Sequence, residues 1–71
     1  MFNRKLFEVM VKTHGLTIKE IARIIGRNEA TLHRKMNGES DFTRNEIQLI
    51  RATLQLSSTD VDSIFFAKEL A

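Results

Sequence analysis

Apolar residues recur along this chain at the three- and four-residue spacing that places side chains on one side of an α-helix. No stretch alternates with the two-residue period of a β-strand. The pattern therefore predicts an all-α chain whose helices bury one face each. The predicted core faces are Phe2, Leu6, Val9 and Met10, then Ile18, Ile21, Ala22 and Ile25, then Ile47, Ile50 and Leu54, and finally Val61, Ile64 and Phe65.

The ends of these helices are marked by glycines and by hydroxyl residues. Gly15, Gly26 and Gly38 each follow a periodic stretch, at the position of a C-terminal cap. Three helix starts share one form, a hydroxyl residue with an acid three positions later, flanked by apolar residues, which is typical of a capping box. The predicted N-caps are Thr17, Thr43 and Ser57, with Asn3 and Asn28 for the other two helices. These signals predict five helices over about 3–14, 17–25, 28–37, 43–55 and 57–68.

Length and composition exclude several classes of protein. The 71 residues predict a single domain over 1–71, and the absence of cysteine excludes a disulfide framework. Two histidines without a thiolate do not complete a metal-ligand set, so we expect no metal and no cofactor. No apolar stretch is long enough to span a membrane, and the N-terminus lacks the apolar core of a secretory signal. We therefore expect a cytoplasmic protein without a membrane partner.

Catalytic and RNA-binding constellations are poorly represented. Ser40 and Asp41 follow Gly38 without a histidine nearby, and the chain has no phosphate-binding glycine loop. Tyrosine and tryptophan are absent, which leaves Phe7 and Phe66 as the candidate aromatics for stacking on RNA bases. We therefore expect a protein that is not an enzyme.

The most informative segment is a short predicted helix, a tight connection and a second short helix. Ala22 supplies a small side chain where the two helices cross, Gly26 permits the positive φ of a tight turn, and Leu32 packs the second helix onto the first. This spacing resembles the DNA-binding helix-turn-helix of the phage Cro and repressor family. The residues at the structural positions of that motif are Ile21, Ala22, Ile25, Gly26 and Leu32.

The resemblance covers almost the whole chain and implies a compact five-helix, lambda-repressor-like domain with a central helix-turn-helix. It also implies transcriptional control, in which a dimer places the second motif helix of each copy in the major groove of a two-fold, double-stranded DNA operator. A prophage genetic switch is the expected setting for such a Cro-like protein. With no second domain to sense a ligand, we expect its concentration and partners to regulate it.

On this interpretation the outward face of the second motif helix meets DNA, since Leu32 and Met36 point inward. Arg34 can bind a guanine edge or a phosphate, and Glu29 can accept from a cytosine amino group. Asn28 either pairs with an adenine or caps its own helix, which is the interpretation we favour. The candidate base-reading residues are Asn28, Glu29, Ala30, His33, Arg34 and Asn37.

Charge supports this interpretation more by its placement than by its total, which is only +2. Positions 19 to 35 contain five Lys or Arg residues and two Glu residues, whereas acidic residues outnumber lysine after position 59. A solvated helix face would carry similar cations, so the spacing is the stronger indication. Ile18 stands where the family places a polar residue that touches the DNA backbone. The candidate phosphate contacts are Lys19, Arg23, Arg27, Thr31 and Lys35.

A second surface is predicted from large apolar residues that fall outside the assigned core faces. Phe7 and Val11 form such a pair on the first helix, while Leu49 and Phe66 lie on later helices. They either cover one another or form an interface, and the fifth helix often joins dimers in the resembled family. The candidate protein-interface residues are Phe7, Val11, Leu49, Ile64, Phe66 and Leu70.

The sequence and its family resemblance therefore predict a small, sequence-specific DNA-binding transcriptional regulator, for which the resemblance implies a homodimer. The alternative is a protein-binding modulator, an antirepressor that engages the opposing phage repressor. Glu29, Ile18, Leu49 and the low net charge favour that alternative.

Overall fold

The computed structural model describes residues 2–67, which form five α-helices and no β-strand. The helices are α1 (Arg4–Thr13), α2 (Ile18–Ile25), α3 (Glu29–Met36), α4 (Arg44–Leu54) and α5 (Ser58–Phe65). The all-α prediction is thus confirmed. The fifth helix ends earlier than predicted, because Phe66 leaves the helical conformation at φ −125°. None of these helices combines the length and the apolar character that a membrane crossing requires.

Each helix begins at a side chain that accepts a hydrogen bond from a backbone N–H three residues later. Thr17, Thr43 and Ser57 do so within complete capping boxes, since the acid at the third helical position accepts from the N-cap backbone in return. Asn3 and Asn28 cap α1 and α3 through their side chains alone. All five predicted N-caps are therefore confirmed.

Left-handed backbone occurs at or just after the C-terminal ends of α1, α2, α3 and α4. Gly15, Gly26 and Gly38 have φ values of 69°, 74° and 82°, as the sequence predicts for C-terminal caps. At Gly26 this conformation lets the chain reverse between α2 and α3 within residues 26–28. Gln55 ends α4 with φ 53° although it is not glycine, which the sequence did not indicate.

The described residues share one hydrophobic core to which all five helices contribute. α2 packs against α3 and α4, while α1 packs against α2 and α5. Four phenylalanine rings, those of Phe2, Phe7, Phe42 and Phe65, form an aromatic cluster with neighbouring centroids 4.9–6.5 Å apart. This cluster joins the first helix, the segment before α4 and the last helix, so the two end helices depend on each other.

The predicted orientation of α1 is wrong. Phe7 and Val11, which were expected outside the core as interface residues, are 0% and 2% exposed, whereas Val9 is 53% exposed. Leu6 and Met10 are half-buried at the edge of the core. The buried stripe of α1 is therefore centred on Phe7 and Val11, because the aromatic cluster holds the largest side chain at the centre of the helix face.

The other interface candidates also differ in how far their side chains are exposed. Ile64 is fully buried, so its side chain is part of the core rather than of an open surface. Its backbone carbonyl accepts a hydrogen bond from the Asn3 N–H at 2.6 Å. Leu49 is half-buried against the core, and Leu70 lies outside the described residues. Phe66 is 54% exposed, so it is the interface candidate that the fold leaves open.

Candidate nucleic-acid interface

Two eight-residue helices, α2 and α3, are held together by a buried contact and a three-residue connection. Ala22 and Leu32 are buried, and Ile21 and Ile25 point into the same core. The connection is tied to α2 because the Arg27 N–H donates to the Ala22 carbonyl at 2.9 Å. α3 therefore keeps one orientation relative to α2.

The outward surface of α3 is polar. Ala30, Arg34 and Asn37 are exposed and share one side of the helix, since they are spaced by four and then three residues. Leu32 and Met36 point inward, as the periodicity predicts. α3 and its C-cap residue Asn37 thus present a ridge of small and polar side chains to solvent.

Several side chains at the edges of this ridge already have partners. Asn28 Oδ1 accepts from the Thr31 N–H at 2.7 Å, so its amide caps α3, the interpretation that the sequence favours. Asn37 Oδ1 accepts from the guanidinium of Arg4. Glu29 lies 3.6 Å from His33 on the next turn, an ion pair when the imidazole is protonated. These contacts leave Arg34 as the long cationic side chain at the centre of the exposed ridge.

The predicted phosphate contacts also separate by burial. Lys19 and Arg23 are exposed on α2, and Thr31 is half-buried. Lys35 is only 8% exposed, because its Nζ donates to the Asp41 carbonyl at 2.9 Å and lies 3.1 Å from Glu46 Oε1. The charge of Lys35 is thus paired inside the protein, an arrangement that does not favour a contact with phosphate.

Glu46 is a buried residue behind this surface whose role the sequence did not indicate. Its Oε2 accepts from Arg27 Nε at 2.7 Å, and its Oε1 accepts from the Thr43 N–H at 2.8 Å and lies beside Lys35 Nζ. One buried carboxylate thus joins the α2–α3 connection, α3 and the start of α4. We name the three side chains of Arg27, Lys35 and Glu46 the Glu46 clamp.

Electrostatics keep the carboxylate of the Glu46 clamp ionised. Burial alone raises the pKa of Glu46, but the hydrogen bonds from Thr43, Arg27 and Lys35 outweigh that effect and lower the pKa to about 2. From sequence, Glu46 is visible only as the acid of a capping box. Its cationic partners lie 19 and 11 positions earlier, a separation that carries no local signal.

Metal binding and similarity to known proteins are two further sources of evidence about function. Within residues 2–67, no group of three His, Cys, Asp or Glu side chains is arranged to hold a metal ion. No protein-family model, curated protein or solved structure matches this chain.

A second feature is a pair of hollows, the larger of which is lined by residues from Lys35 and the α3–α4 segment to α5. Two adjoining hollows of about 610 and 390 Å³ share Phe42, Ile47 and Phe66 as lining residues. Arg44 and Arg51 border the smaller hollow, between α4 and α5. The exposed ring of Phe66 stands beside both hollows.

Proposed function

We propose that this protein is a small, sequence-specific DNA-binding transcriptional regulator of the Cro type, which places α3 in the major groove of double-stranded DNA. The observation that carries the proposal is the exposed polar ridge of α3 on a helix whose opposite side is fixed to α2. An α-helix is about as wide as the B-DNA major groove, so a projecting helix with polar side chains is suited to contact base edges.

The surroundings of α3 support the same function. Lys19 and Arg23 are exposed on α2, and Arg27 lies on the connection that leads into α3. Cations at the flanks of a groove-binding helix can contact phosphates and so set its register on the duplex. A lambda-repressor-like arrangement of the five helices is part of this proposal. In that arrangement the first motif helix, the connection and the groove-binding helix follow one another along the chain, as α2, residues 26–28 and α3 do here.

Selection of binders from a pool of randomised duplex DNA at physiological salt tests the proposal. We expect a reproducible sequence motif, with two-fold symmetry if a dimer binds. Recovery of only a weak, salt-sensitive background would contradict sequence-specific DNA binding.

Arg34→Ala is expected to weaken binding to the selected motif. If the guanidinium binds a guanine, the change should cost about 1–3 kcal/mol and relax the preference at one base pair. Quantitative binding to a panel of single-base variants measures this effect. Arg44→Ala is the matched control, because Arg44 is an exposed arginine that borders the hollow between α4 and α5. An equal loss on every sequence would instead assign Arg34 to a phosphate.

Self-association through Phe66 is part of the proposed function, because a two-fold operator requires two copies. Phe66→Ser is expected to shift the protein from dimer to monomer in sedimentation velocity experiments. Val9→Ser is the matched control, since Val9 is equally exposed, at 53% against 54%, but lies on α1. Both variants should keep their free energy of unfolding within about 0.5 kcal/mol of the original protein. A dimer that survives Phe66→Ser would contradict this interface.

A protein-binding modulator that engages a phage repressor is the second candidate. It is favoured by the burial of the Lys35 charge and by the exposed Phe66 beside two hollows, both of which favour a protein partner over DNA. In that case the protein should release a purified repressor from its operator without binding the operator itself. A gel-shift assay with both proteins distinguishes the two candidates.

A further inference from the structure

We propose that Glu46 is a positioning residue that holds Arg27 against a DNA phosphate at the connection between α2 and α3. This inference rests on the proposed DNA-binding function. Glu46 itself is buried, with 2% of its side chain exposed, so it acts through the arginine.

The guanidinium of Arg27 can contact Glu46 and a phosphate at the same time. Its Nε donates to Glu46 Oε2 at 2.7 Å, yet 48% of the arginine side chain is exposed. An arginine carries five N–H donors in a planar fork, and only one of them belongs to Nε. The two terminal nitrogens can therefore bind a phosphate while Nε stays on the carboxylate. A lysine has a single ammonium on a flexible stem and lacks this fixed fork.

The carboxylate that holds Arg27 is itself fixed from the opposite side. Thr43 donates its backbone N–H to Glu46 Oε1 at 2.8 Å, and Lys35 Nζ lies 3.1 Å from the same oxygen. Lys35 is anchored in turn by the Asp41 carbonyl. Arg27 is thus aligned by a rigid group, so little side-chain entropy remains to be lost when it binds phosphate.

The position of Arg27 suits a backbone contact. It follows Gly26 at the end of α2 and precedes Asn28, the N-cap of α3. A helix that enters the major groove brings its preceding connection close to the sugar-phosphate backbone. Arg23, on the last turn of α2, is a second exposed arginine nearby in sequence, and no carboxylate contact is found for it in residues 2–67.

The first test compares Arg27 with Arg23 in binding to a mixed-sequence DNA duplex at low salt. We expect Arg27→Lys to weaken binding by about tenfold, nearly as much as Arg27→Gln, because neither variant keeps the fork. Arg23→Lys should stay within about twofold of the original protein, because a flexible cation keeps its charge near phosphate. Arg27→Gln should also make the negative slope of log affinity against log salt shallower by about 0.9. Arg27→Lys that binds like the original protein would overturn the inference.

The second test is a double-mutant cycle between Glu46 and Arg27. Glu46→Gln should weaken duplex binding by about tenfold in the original background and have no effect in the Arg27→Gln background. Asp60→Asn is the control, because Asp60 is likewise the acid of a capping box but lies on α5 and forms no ion pair with an arginine within residues 2–67. It should leave duplex binding within about twofold. Circular dichroism at the assay temperature confirms that each variant is folded. If Glu46→Gln unfolds, Arg27→Lys and Arg27→Gln of the first test decide the inference without it.

The outcomes separate the inference from the proposed function. Equal losses from Glu46→Gln in both backgrounds would show a purely structural role and overturn the inference, while leaving DNA binding intact. Failure of the original protein to bind any duplex at low salt would overturn the proposed function and this inference with it.

Discussion

Phe7→Ala is expected to leave a large share of the protein unfolded at room temperature. Phe7 is 0% exposed, and its ring lies 5.3 Å from that of Phe2 and 6.5 Å from that of Phe42 between centroids. Truncation of a buried phenylalanine costs about 3–5 kcal/mol through lost burial and the cavity that remains. The total stability of a small domain is about 5 kcal/mol at the lower end of the usual range, so the two values are comparable. Urea titration followed by circular dichroism measures the change.

The same variant distinguishes a core residue from an interface residue. If Phe7 contacted a second copy, its truncation would change the mass in solution and leave the folded monomer intact. Val9→Ala is the matched control on the same helix, because Val9 is 53% exposed and should cost no more than about 0.5 kcal/mol. A folded Phe7→Ala protein with stability close to that of Val9→Ala would contradict the burial of α1 described above.

Acidification is expected to remove a contribution of about 3 kcal/mol that Glu46 makes to the free energy of unfolding. The pKa of Glu46 is lowered from its usual 4.5 to about 2 in the folded protein. A lowered carboxylate pKa stabilises the fold fully above pH 4.5, and that stabilisation is lost as the pH falls from about 4.5 towards 2. Urea midpoints measured between neutral pH and pH 2 follow the loss.

Glu46→Gln isolates this contribution from that of other carboxylates. The variant should be less stable than the original protein at neutral pH, and the difference should shrink on acidification. Glu20→Gln is the control, because Glu20 is the acid of the α2 capping box and is exposed. Its loss should cost about 1 kcal/mol or less. A stability difference between Glu46→Gln and the original protein that does not change with pH would contradict the assigned pKa.

Local signals explain which parts of the fold could be predicted from the sequence. The capping boxes at Thr17, Thr43 and Ser57 involve residues three positions apart, so the sequence contains the whole motif. Gln55 could not be predicted as a left-handed cap, because glutamine is not a residue type that favours that conformation. The orientation of α1 was mispredicted because it depends on residues that are distant in sequence. Phe7 and Leu6 lie one position apart, and only the distant rings of the aromatic cluster decide which of them occupies the centre of the face.

In the candidate site, too, features within one helix could be predicted from the sequence and contacts between helices could not. Periodicity within α3 correctly predicts that Leu32 and Met36 face inward, because one helix contains all the information required. It does not predict the burial of Lys35, since an apolar pattern treats a lysine as exposed unless a buried acid is known. Glu46 supplies that acid from the next helix. The Glu46 clamp is therefore visible only once the positions of α3 and the start of α4 in the fold are known.

The Asn3 N–H donates a hydrogen bond to the Ile64 carbonyl at 2.6 Å, so the segment before α1 lies beside the last turn of α5. The order of the helices along the chain can then be changed in a circular permutant without a change of fold. A linker could join residue 67 to residue 2, and new termini could be opened in the exposed segment 38–41 between α3 and α4. In such a rearranged chain α4 and α5 would be synthesised first, and the segment that presents Arg34 would emerge last.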